Sequence, residues 1–193
     1  MSESSTDVAI ALGSNLGDRL ENIRTAIKAL DRLRNVSVID FSSIYESEAH
    51  TLESSGPQPL YLNALVLVTT FLSPQTLLEA CLKIEYDNGR ERVQNSTWKA
   101  RSLDLDIIVF GNETLVSGTL KIPHPHLAQR RFVLQPLFEL RPEFHIPAPF
   151  DATVQYLLAN CTDTGSLTTC VSRSSLFSAD EFARPFPFIE QKR

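Results

Sequence analysis

The chain has 193 residues, of which 42% are hydrophobic and 21% are charged, and its 18 basic and 23 acidic residues give a net charge of −5. This composition is typical of a globular protein and excludes a disordered tail, a collagen-like repeat and a coiled coil. The length suits one domain, or one domain with an appendage. No apolar run reaches the ~18 residues that span a bilayer, and the acidic pI of 5.4 argues against a general nucleic-acid binder. We therefore expect neither a membrane nor a nucleic acid as a partner.

The cysteines and the first residues bear on the cellular compartment. Cys81, Cys161 and Cys170 are odd in number and have no metal-ligand spacing, so a disulfide scaffold is disfavoured. A reducing compartment is the simpler interpretation. Residues 1–7 are polar and acidic, unlike a signal peptide or an arginine-rich transit peptide. We expect a cytoplasmic protein.

The first third of the chain predicts a strand, a helix and a second strand. Residues 8–12 form an apolar run that ends at a glycine, and Asp18 with Glu21 three residues later resembles a capping box. Apolar residues then recur every three or four positions, which predicts an amphipathic helix. Residues 35–45 predict a strand with a bulge near Ile39, where the alternation is broken. Residues 46–59 predict a loop, long enough to be functional.

The following elements complete a recognisable order. Residues 60–71 predict a long strand, and Ser73 followed by a proline predicts a helix start. This helix is expected to end near Gly89, before a polar loop over residues 90–101 and a strand over residues 103–110. The order β-α-β-β-α-β predicts an α+β fold, a ferredoxin-like sandwich with two helices on one face of an antiparallel sheet.

The last third of the chain predicts extra elements around this core. Residues 123–126 predict a turn, residues 132–140 a short helix, and residues 153–160 are a candidate for another helix. Residues 163–178 are rich in Ser and Thr with little periodicity, which predicts a mobile tail. We divide the chain into a domain over residues 1–162 and a partly mobile C-terminal extension over residues 163–193.

The strongest local signal for chemistry is Asp104-Leu-Asp106 in a predicted strand. Because side chains alternate along a strand, both carboxylates point to one side, about 6.6 Å apart. Two such carboxylates repel each other unless a cation lies between them. A pair of divalent ions fits this geometry, and Mg²⁺ commonly shares one or two carboxylates with substrate phosphates. An exposed edge strand with a polar face explains the motif equally well.

The surrounding charges favour the first interpretation. Residues 90–131 hold seven basic and four acidic residues, a net charge of +3 inside an acidic chain. Arginine pairs with phosphate oxygens through two parallel hydrogen bonds, while carboxylates hold metal ions. The segment therefore favours a metal–polyphosphate site over a solvated loop with scattered salt bridges. Its basic residues are Arg90, Arg92, Lys99, Arg101, Lys121, Arg130 and Arg131.

Three further patterns carry weaker signals. His124 and His126 have a spacing found in zinc sites, but without a Cys or third His nearby, donation to a phosphate is favoured. Gly13 opens a Gly-Ser-Asn-Leu-Gly stretch that lacks a dinucleotide fingerprint, so we interpret it as a tight turn. Tyr61 and Asn63 share one strand face and could bind a flat heterocycle, although a Tyr–Asn pair on a partly exposed sheet fits equally well.

Five of these segments together resemble a known family. They are the Gly-Ser-Asn opening after the first strand, Tyr-Leu-Asn at 61–63, Arg-x-x-Asp-x-Asp at 101–106, Pro-His-Pro at 123–125 and Arg-Arg-Phe at 130–132. In this order and spacing they resemble 6-hydroxymethyl-7,8-dihydropterin pyrophosphokinase of folate biosynthesis. The resemblance covers about residues 7–147, and Arg-x-x-Asp-x-Asp is its specific element. It implies a ferredoxin-like core with extra elements.

The resemblance also implies a reaction. ATP would give its β,γ-pyrophosphoryl unit to the hydroxymethyl oxygen of the dihydropterin, which releases AMP and yields the pterin diphosphate. The resemblance implies that Asp104 and Asp106 hold two Mg²⁺ and form the catalytic set with Arg90 and Arg92. The implied pterin contacts are Ser47, Tyr61, Asn63 and Phe132, with the ring between Tyr61 and Phe132. The implied ATP-binding residues are Glu85, Arg90, Arg92, Trp98, Arg101, Ile107, Lys121, His124 and Arg130.

Some residues depart from the family pattern. Lys99-Ala100 stands where Gly-Pro is common, which keeps open a catalytically weakened member acting as a scaffold or binding module. An Asp-x-Asp nucleotide-sugar transferase would need a longer succession of βα units, and an RNA-recognition domain would need a basic face. Since the family is often joined to dihydropteroate synthase in eukaryotes, fusion or association with that enzyme is an expected partnership. In a larger eukaryotic enzyme, a mitochondrial location is an alternative to the cytoplasm.

Overall fold

The protein is represented by a computed structural model that describes residues 4–49, 58–89, 101–178 and 181. Five α-helices lie in these ranges: α1 (Arg19–Asp31), α2 (Pro74–Asp87), α3 (Arg131–Leu140), α4 (Val154–Ala159) and α5 (Arg173–Leu176). The strands described are β1 (Thr6–Ser14), β2 (Val36–Phe41), β3 (Ile44–Ser47), β4 (Tyr61–Thr70), β5 (Asp104–Phe110), β6 (Leu115–Ser117), β7 (Leu120–Ile122), β8 (His145–Ile146), β9 (Ala152–Thr153) and β10 (Leu167–Val171).

One antiparallel sheet organises the described residues. Its strands follow the order β10-β3-β4-β1-β5, and β2 pairs with β4 beyond the end of β3. Helices α1 and α2 bury Ile27 and Leu77 against one face, together with Ile10 of the central strand β1. Helix α3 buries Leu134 against the other face, on Leu65 of β4. The ferredoxin-like α+β fold predicted from the sequence is confirmed.

The predicted helix starts are formed as capping chemistry requires. The Asp18 carboxylate accepts a hydrogen bond from the Glu21 amide at 3.1 Å, which satisfies one of the unpaired N–H groups of the first turn of α1. The Ser73 hydroxyl accepts one from the Thr76 amide at 3.2 Å, and Pro74 occupies the first turn of α2. These local bonds fix where α1 and α2 leave the sheet.

The strand predicted over residues 35–45 is in fact two strands, β2 and β3. Ser42 lies between them, and its hydroxyl accepts the Leu65 amide of β4 at 2.9 Å in place of a regular ladder bond. The pairing of β2 with β4 shifts register between Val38 and Asp40, so the bulge predicted near Ile39 is confirmed. Because β3 continues to Ser47, the following loop begins later than predicted.

The prediction of a mobile tail is wrong for much of residues 163–178. Strand β10 pairs with β3 at the sheet edge, and α5 follows it. Phe177 then packs edge-on against Phe41, with 5.2 Å between the ring centroids. These contacts involve residues more than 100 positions away, so local periodicity contains no sign of them. The helices predicted over residues 132–140 and 153–160 are confirmed as α3 and α4. The domain division after residue 162 stays a prediction.

Among the helices of the described ranges, none has the length and apolar character that a bilayer crossing requires.

Candidate active site

A cavity of about 340 Å³ opens where β1, β3, β4 and β5 meet the first turn of α3. It collects nine of the predicted site residues, from five separate segments of the chain. They are Ser47, Tyr61, Asn63, Arg101, Asp104, Asp106, His124, Arg130 and Phe132. The sheet therefore brings together the acidic, basic and aromatic groups that lie up to 85 positions apart in the sequence.

The two carboxylates of β5 both line this cavity, as strand alternation predicts. Each one has an arginine beside it. The Arg101 Nη1 lies 2.6 Å from the Asp104 Oδ1, and the Arg130 Nη1 lies 3.6 Å from the Asp106 Oδ2. Burial lowers the pKa of the Arg101 guanidinium, but the charge and hydrogen bond of Asp104, together with smaller effects of Tyr61 and Asp106, raise that pKa overall, so Arg101 remains cationic.

The carboxylate pair suits a divalent cation whose other ligands come from a substrate. Asp104 and Asp106 offer hard oxygens on one strand face, with side chains 26% and 42% exposed. Within the described ranges, no group of three or more His, Cys, Asp or Glu side chains could enclose a metal by itself. Mg²⁺ fits such a donor set, because it is usually held by one or two carboxylates plus substrate phosphates and water.

The main chain before β5 is held by the turn after β1. The Arg101 amide donates to the Asn15 Oδ1 at 2.6 Å, and the Asn15 amide donates to the Arg101 carbonyl at 3.0 Å. Asn22 of α1 and Ser14 both donate side-chain hydrogen bonds to the Ser102 carbonyl, at 2.9 and 2.6 Å. These bonds fix the point from which the Arg101 side chain reaches Asp104.

Sequence reasoning interpreted this Gly-Ser-Asn stretch only as a tight turn and so missed its role. The available signal was the pair of polar residues, Ser14 and Asn15, directly after an apolar strand. Both are buried, with 0% and 2% of their surface exposed, and buried polar groups require partners. Sequence reasoning also missed Arg19, which pairs with Glu46 at 2.8 Å and donates to the Leu60 carbonyl at 2.7 Å. Arg19 thereby contacts chain on both sides of residues 50–57.

The opposite part of the cavity combines an aromatic ring with a buried amide. The Asn63 side chain is 5% exposed, and its Nδ2 donates to the Ser47 hydroxyl at 3.0 Å. Tyr61 lines the cavity two residues earlier on the same face of β4. Phe132 projects from the first turn of α3, with the Arg130 guanidinium 5.8 Å from its ring centroid. This arrangement can stack a flat ring and hydrogen bond to its edge.

His124 is a neutral hydrogen-bond donor at this site. Burial, followed by the charge of Arg130, lowers its pKa to about 4. The His124 Nδ1 accepts the His126 amide at 3.2 Å, which places the ring proton on Nε2. Since Arg130 can only donate, its approach of 3.5 Å to that Nε2 is then a contact and not a hydrogen bond. The Nε2–H beside a guanidinium can donate to an anion.

Of the other six predicted site residues, three are not described by the structure and three are described but do not line the cavity. Arg90, Arg92 and Trp98 lie outside the described residues. Glu85 is 1% exposed on α2, and its Oε1 accepts the Leu105 amide at 2.7 Å, between the two aspartates. Ile107 is buried in the core at 3% exposure, so it could meet a ligand only through its main chain. Lys121 is exposed on β7.

The low pKa of His124 predicts acid-sensitive stability. An unfolded histidine binds a proton below a pH of about 6.5, whereas folded His124 does so only near pH 4, so acid favours the unfolded state in between. When the pH falls from 7 to 5, the free energy of unfolding of the parent should drop by about 1 kcal/mol more than that of His124→Gln, after allowance for partial solvent exposure. Urea unfolding at the two pH values measures this difference. His145→Gln, at an exposed position, is the control for replacing a histidine by glutamine elsewhere in the chain. Parallel curves for the parent and His124→Gln would contradict the assignment.

Comparison with known proteins identifies the family. A family described as 7,8-dihydro-6-hydroxymethylpterin-pyrophosphokinase (HPPK) matches residues 9–142. The chain is 41% identical over 140 residues to the 2-amino-4-hydroxy-6-hydroxymethyldihydropteridine pyrophosphokinase of Haemophilus influenzae, covering 72% of this chain and 83% of that protein. It is 39% identical over 142 residues to the protein of the same name from Pseudomonas aeruginosa, with the same coverage.

Two longer proteins contain a similar region. The folic acid synthesis protein fol1 of Schizosaccharomyces pombe is 37% identical over 138 residues, which are 72% of this chain and 18% of that protein. The fold matches the crystal structure of Plasmodium falciparum HPPK-DHPS with pterin and p-hydroxybenzoate, at a TM-score of 0.64 and 15% identity. That match covers 82% of this chain and 43% of the other. On the strength of the family match and the identity to its relatives, the chain belongs to the 7,8-dihydro-6-hydroxymethylpterin-pyrophosphokinase family of diphosphotransferases, as its sequence predicts.

Proposed function

We propose that the chain transfers the β,γ-pyrophosphoryl unit of ATP to the hydroxymethyl group of 6-hydroxymethyl-7,8-dihydropterin. The products are AMP and the pterin diphosphate, and the reaction is a step of folate biosynthesis. The observation that carries this proposal is that one cavity holds both a carboxylate pair matched with arginines and a Tyr–Asn–Phe pocket. The first group suits a metal-bound polyphosphate, and the second suits a flat heterocycle.

Charge neutralisation is the main task of the polyphosphate side. Arg101 and Arg130 lie against Asp104 and Asp106, and a guanidinium in this position can pair with phosphate oxygens when a nucleotide enters. We propose that Asp104 and Asp106 hold two Mg²⁺, which when bound neutralise phosphate charge and make the attacking hydroxyl more acidic. His124 would donate its Nε2–H to a phosphate oxygen. No general base is assigned, because phosphoryl transfer depends chiefly on positioning and electrostatics.

The ring pocket would orient the acceptor. Tyr61 and Phe132 would stack on the pterin from its two faces, while Asn63 and Ser47 would hydrogen bond to its edge. The Asn63 amide is already held by Ser47, so its orientation is set before a ligand arrives. A fixed amide lowers the entropic cost of binding. The in-line approach of the hydroxymethyl group to ATP would follow from this orientation.

Other predicted roles remain proposals for the same reaction. Arg90 and Arg92 would complete the catalytic set, and Trp98, Lys121 and Ile107 would contact the nucleotide. Glu85 would support β5 through the Leu105 amide. Most of the loops predicted over residues 46–59 and 90–102 lies outside the described residues, and we propose from the sequence that they close over both substrates and exclude water from the activated phosphate. In the described part of the chain, nothing favours the alternative of a weakened member that acts as a scaffold or binding module.

The partner and the location are also proposals. The longer proteins with a similar region support fusion or association with dihydropteroate synthase. Localisation in the cytoplasm, or in mitochondria within a larger eukaryotic enzyme, stays a prediction from the sequence.

AMP release tests the proposed reaction. The chain, ATP, Mg²⁺ and 6-hydroxymethyl-7,8-dihydropterin should give one AMP for each pterin consumed, separated and counted by ion-exchange chromatography. A sample without pterin serves as the control for ATP hydrolysis. Formation of ADP would indicate transfer of a single phosphoryl group, and AMP no higher than in the control would defeat the proposal.

Removal of one β5 carboxylate should stop turnover without unfolding the chain. Asp104→Asn keeps the size of the side chain but loses a charged metal ligand, so kcat should fall by at least about 100-fold, on the scale of losing one key electrostatic group. Glu113→Gln removes an exposed charge shortly after the same strand and should leave kcat within about twofold. Thermal unfolding should show both variants folded. Retention of the parental kcat by Asp104→Asn at saturating Mg²⁺ would reject the metal-ligand assignment.

A further inference from the structure

The C-terminal strap, which we define as residues 163–178, touches both walls of the proposed pterin pocket. It lies beyond residues 9–142, the region that matches the family. One of its ends contacts α3 next to Phe132, and its strand β10 pairs with β3 at Ser47. The strap thus connects the aromatic wall of the pocket with the wall that orients Asn63.

The first contact is a helix cap supplied from a distance in sequence. Arg130 precedes the first turn of α3 and makes no side-chain capping bond. Instead, the Asp163 Oδ2 accepts the Arg131 amide at 2.9 Å, while its Oδ1 accepts the Gly165 amide at 3.0 Å. A carboxylate at this position satisfies an amide of the first turn and interacts favourably with the helix dipole. Phe132 is the residue after Arg131, so the cap fixes the beginning of the first turn of α3, which carries the Phe132 ring.

The second contact braces the edge of the sheet. Leu167 pairs with Ser47, and Thr168 pairs with Glu46. The Ser47 hydroxyl accepts the Asn63 amide, so the position of β3 determines where this amide points. With β10 on its outer side, β3 is paired on both edges and is held more firmly than an edge strand.

A second cavity shows why these contacts matter. It has a volume of about 270 Å³, and Asp163 and Leu167 line it together with Ser47 and Phe132. Ser47 and Phe132 also line the first cavity, so they form a partition between two open spaces. Phe132 packs against the core beneath α3, and the helix that carries it begins at the Asp163 cap. Loss of this cap would let the first turn of α3, and the ring with it, shift toward either cavity.

We propose that Asp163 is a positioning residue for the pterin pocket, because its cap on α3 fixes Phe132 opposite Tyr61. This inference rests on the proposed function. Asp163 contacts neither substrate in this account and acts through the Arg131 amide. Its loss should weaken pterin binding while leaving ATP use largely unchanged, since Asp104 and Asp106 are anchored through other elements.

The far end of the strap offers a matched control. Phe177 packs on Phe41, and Arg24 and Lys28 of α1 lie 5.5 Å from its ring centroid. These contacts stabilise the strap but do not touch the walls of the first cavity. Phe177→Ala should therefore lower the unfolding temperature of the full chain without changing the pocket.

The experiment compares the parent, Asp163→Ala, Asp163→Asn and Phe177→Ala as full chains. Calorimetry gives the Kd of 6-hydroxymethyl-7,8-dihydropterin in the presence of a non-hydrolysable ATP analogue, steady-state kinetics give the KM of ATP, and thermal unfolding gives the Tm. Asp163→Ala should raise the pterin Kd about fivefold, the scale of a lost cap, with the KM of ATP within about twofold. Asp163→Asn keeps an acceptor oxygen and should restore the pterin Kd to within about twofold of the parent.

The outcomes separate this inference from the function on which it rests. Phe177→Ala should lower Tm at least as much as Asp163→Ala and leave the pterin Kd unchanged. An unchanged pterin Kd in Asp163→Ala, or an equal rise in Phe177→Ala, would reject the positioning role while the parent still binds pterin. Failure of the parent to bind pterin would reject the proposed function, and this inference with it.

Discussion

The site depends on two carboxylates that a single strand holds on one face. Asp104 and Asp106 cannot move apart, because β5 is paired with β1 and Leu105 between them is buried. Their mutual repulsion has to be balanced by positive charge, and Arg101 and Arg130 supply it from opposite ends of the site. When a polyphosphate binds with its metal ions, the phosphates can pair with the two arginines and the metal ions with the two carboxylates. The pairing of β5 that keeps the two carboxylates together therefore leaves the site ready for a metal-bound polyphosphate.

Helix α3 joins the proposed polyphosphate side of the cavity to its proposed pterin side. Arg130 precedes this helix and faces Asp106, and Phe132 lies in its first turn and faces the ring pocket. The cap from Asp163 and the pairing of β10 with β3 hold both walls from outside the region that the family shares. The C-terminal residues therefore belong to the architecture of the pocket.

Local rules in the sequence predict much of this structure. Alternation predicts the shared face of Asp104 and Asp106, capping chemistry predicts the starts of α1 and α2, and a broken pattern predicts the bulge at Ile39. The sequence does not predict β10, because its pairing energy comes from a strand about 120 residues earlier. It also misses the bonds of Asn15 to Arg101, since a polar side chain after a strand serves equally well in a turn. Non-local hydrogen bonds are the common cause of these failures.

We propose that Asp104 and Asp106 hold divalent cations together with the phosphates of ATP. Electron paramagnetic resonance of Mn²⁺, which takes the same oxygen ligands as Mg²⁺, measures this directly. With a non-hydrolysable ATP analogue present, the parent chain should bind Mn²⁺ more tightly than the analogue alone does, and Asp104→Asn should lose this gain. Equal Mn²⁺ binding by the parent and by Asp104→Asn would contradict the account.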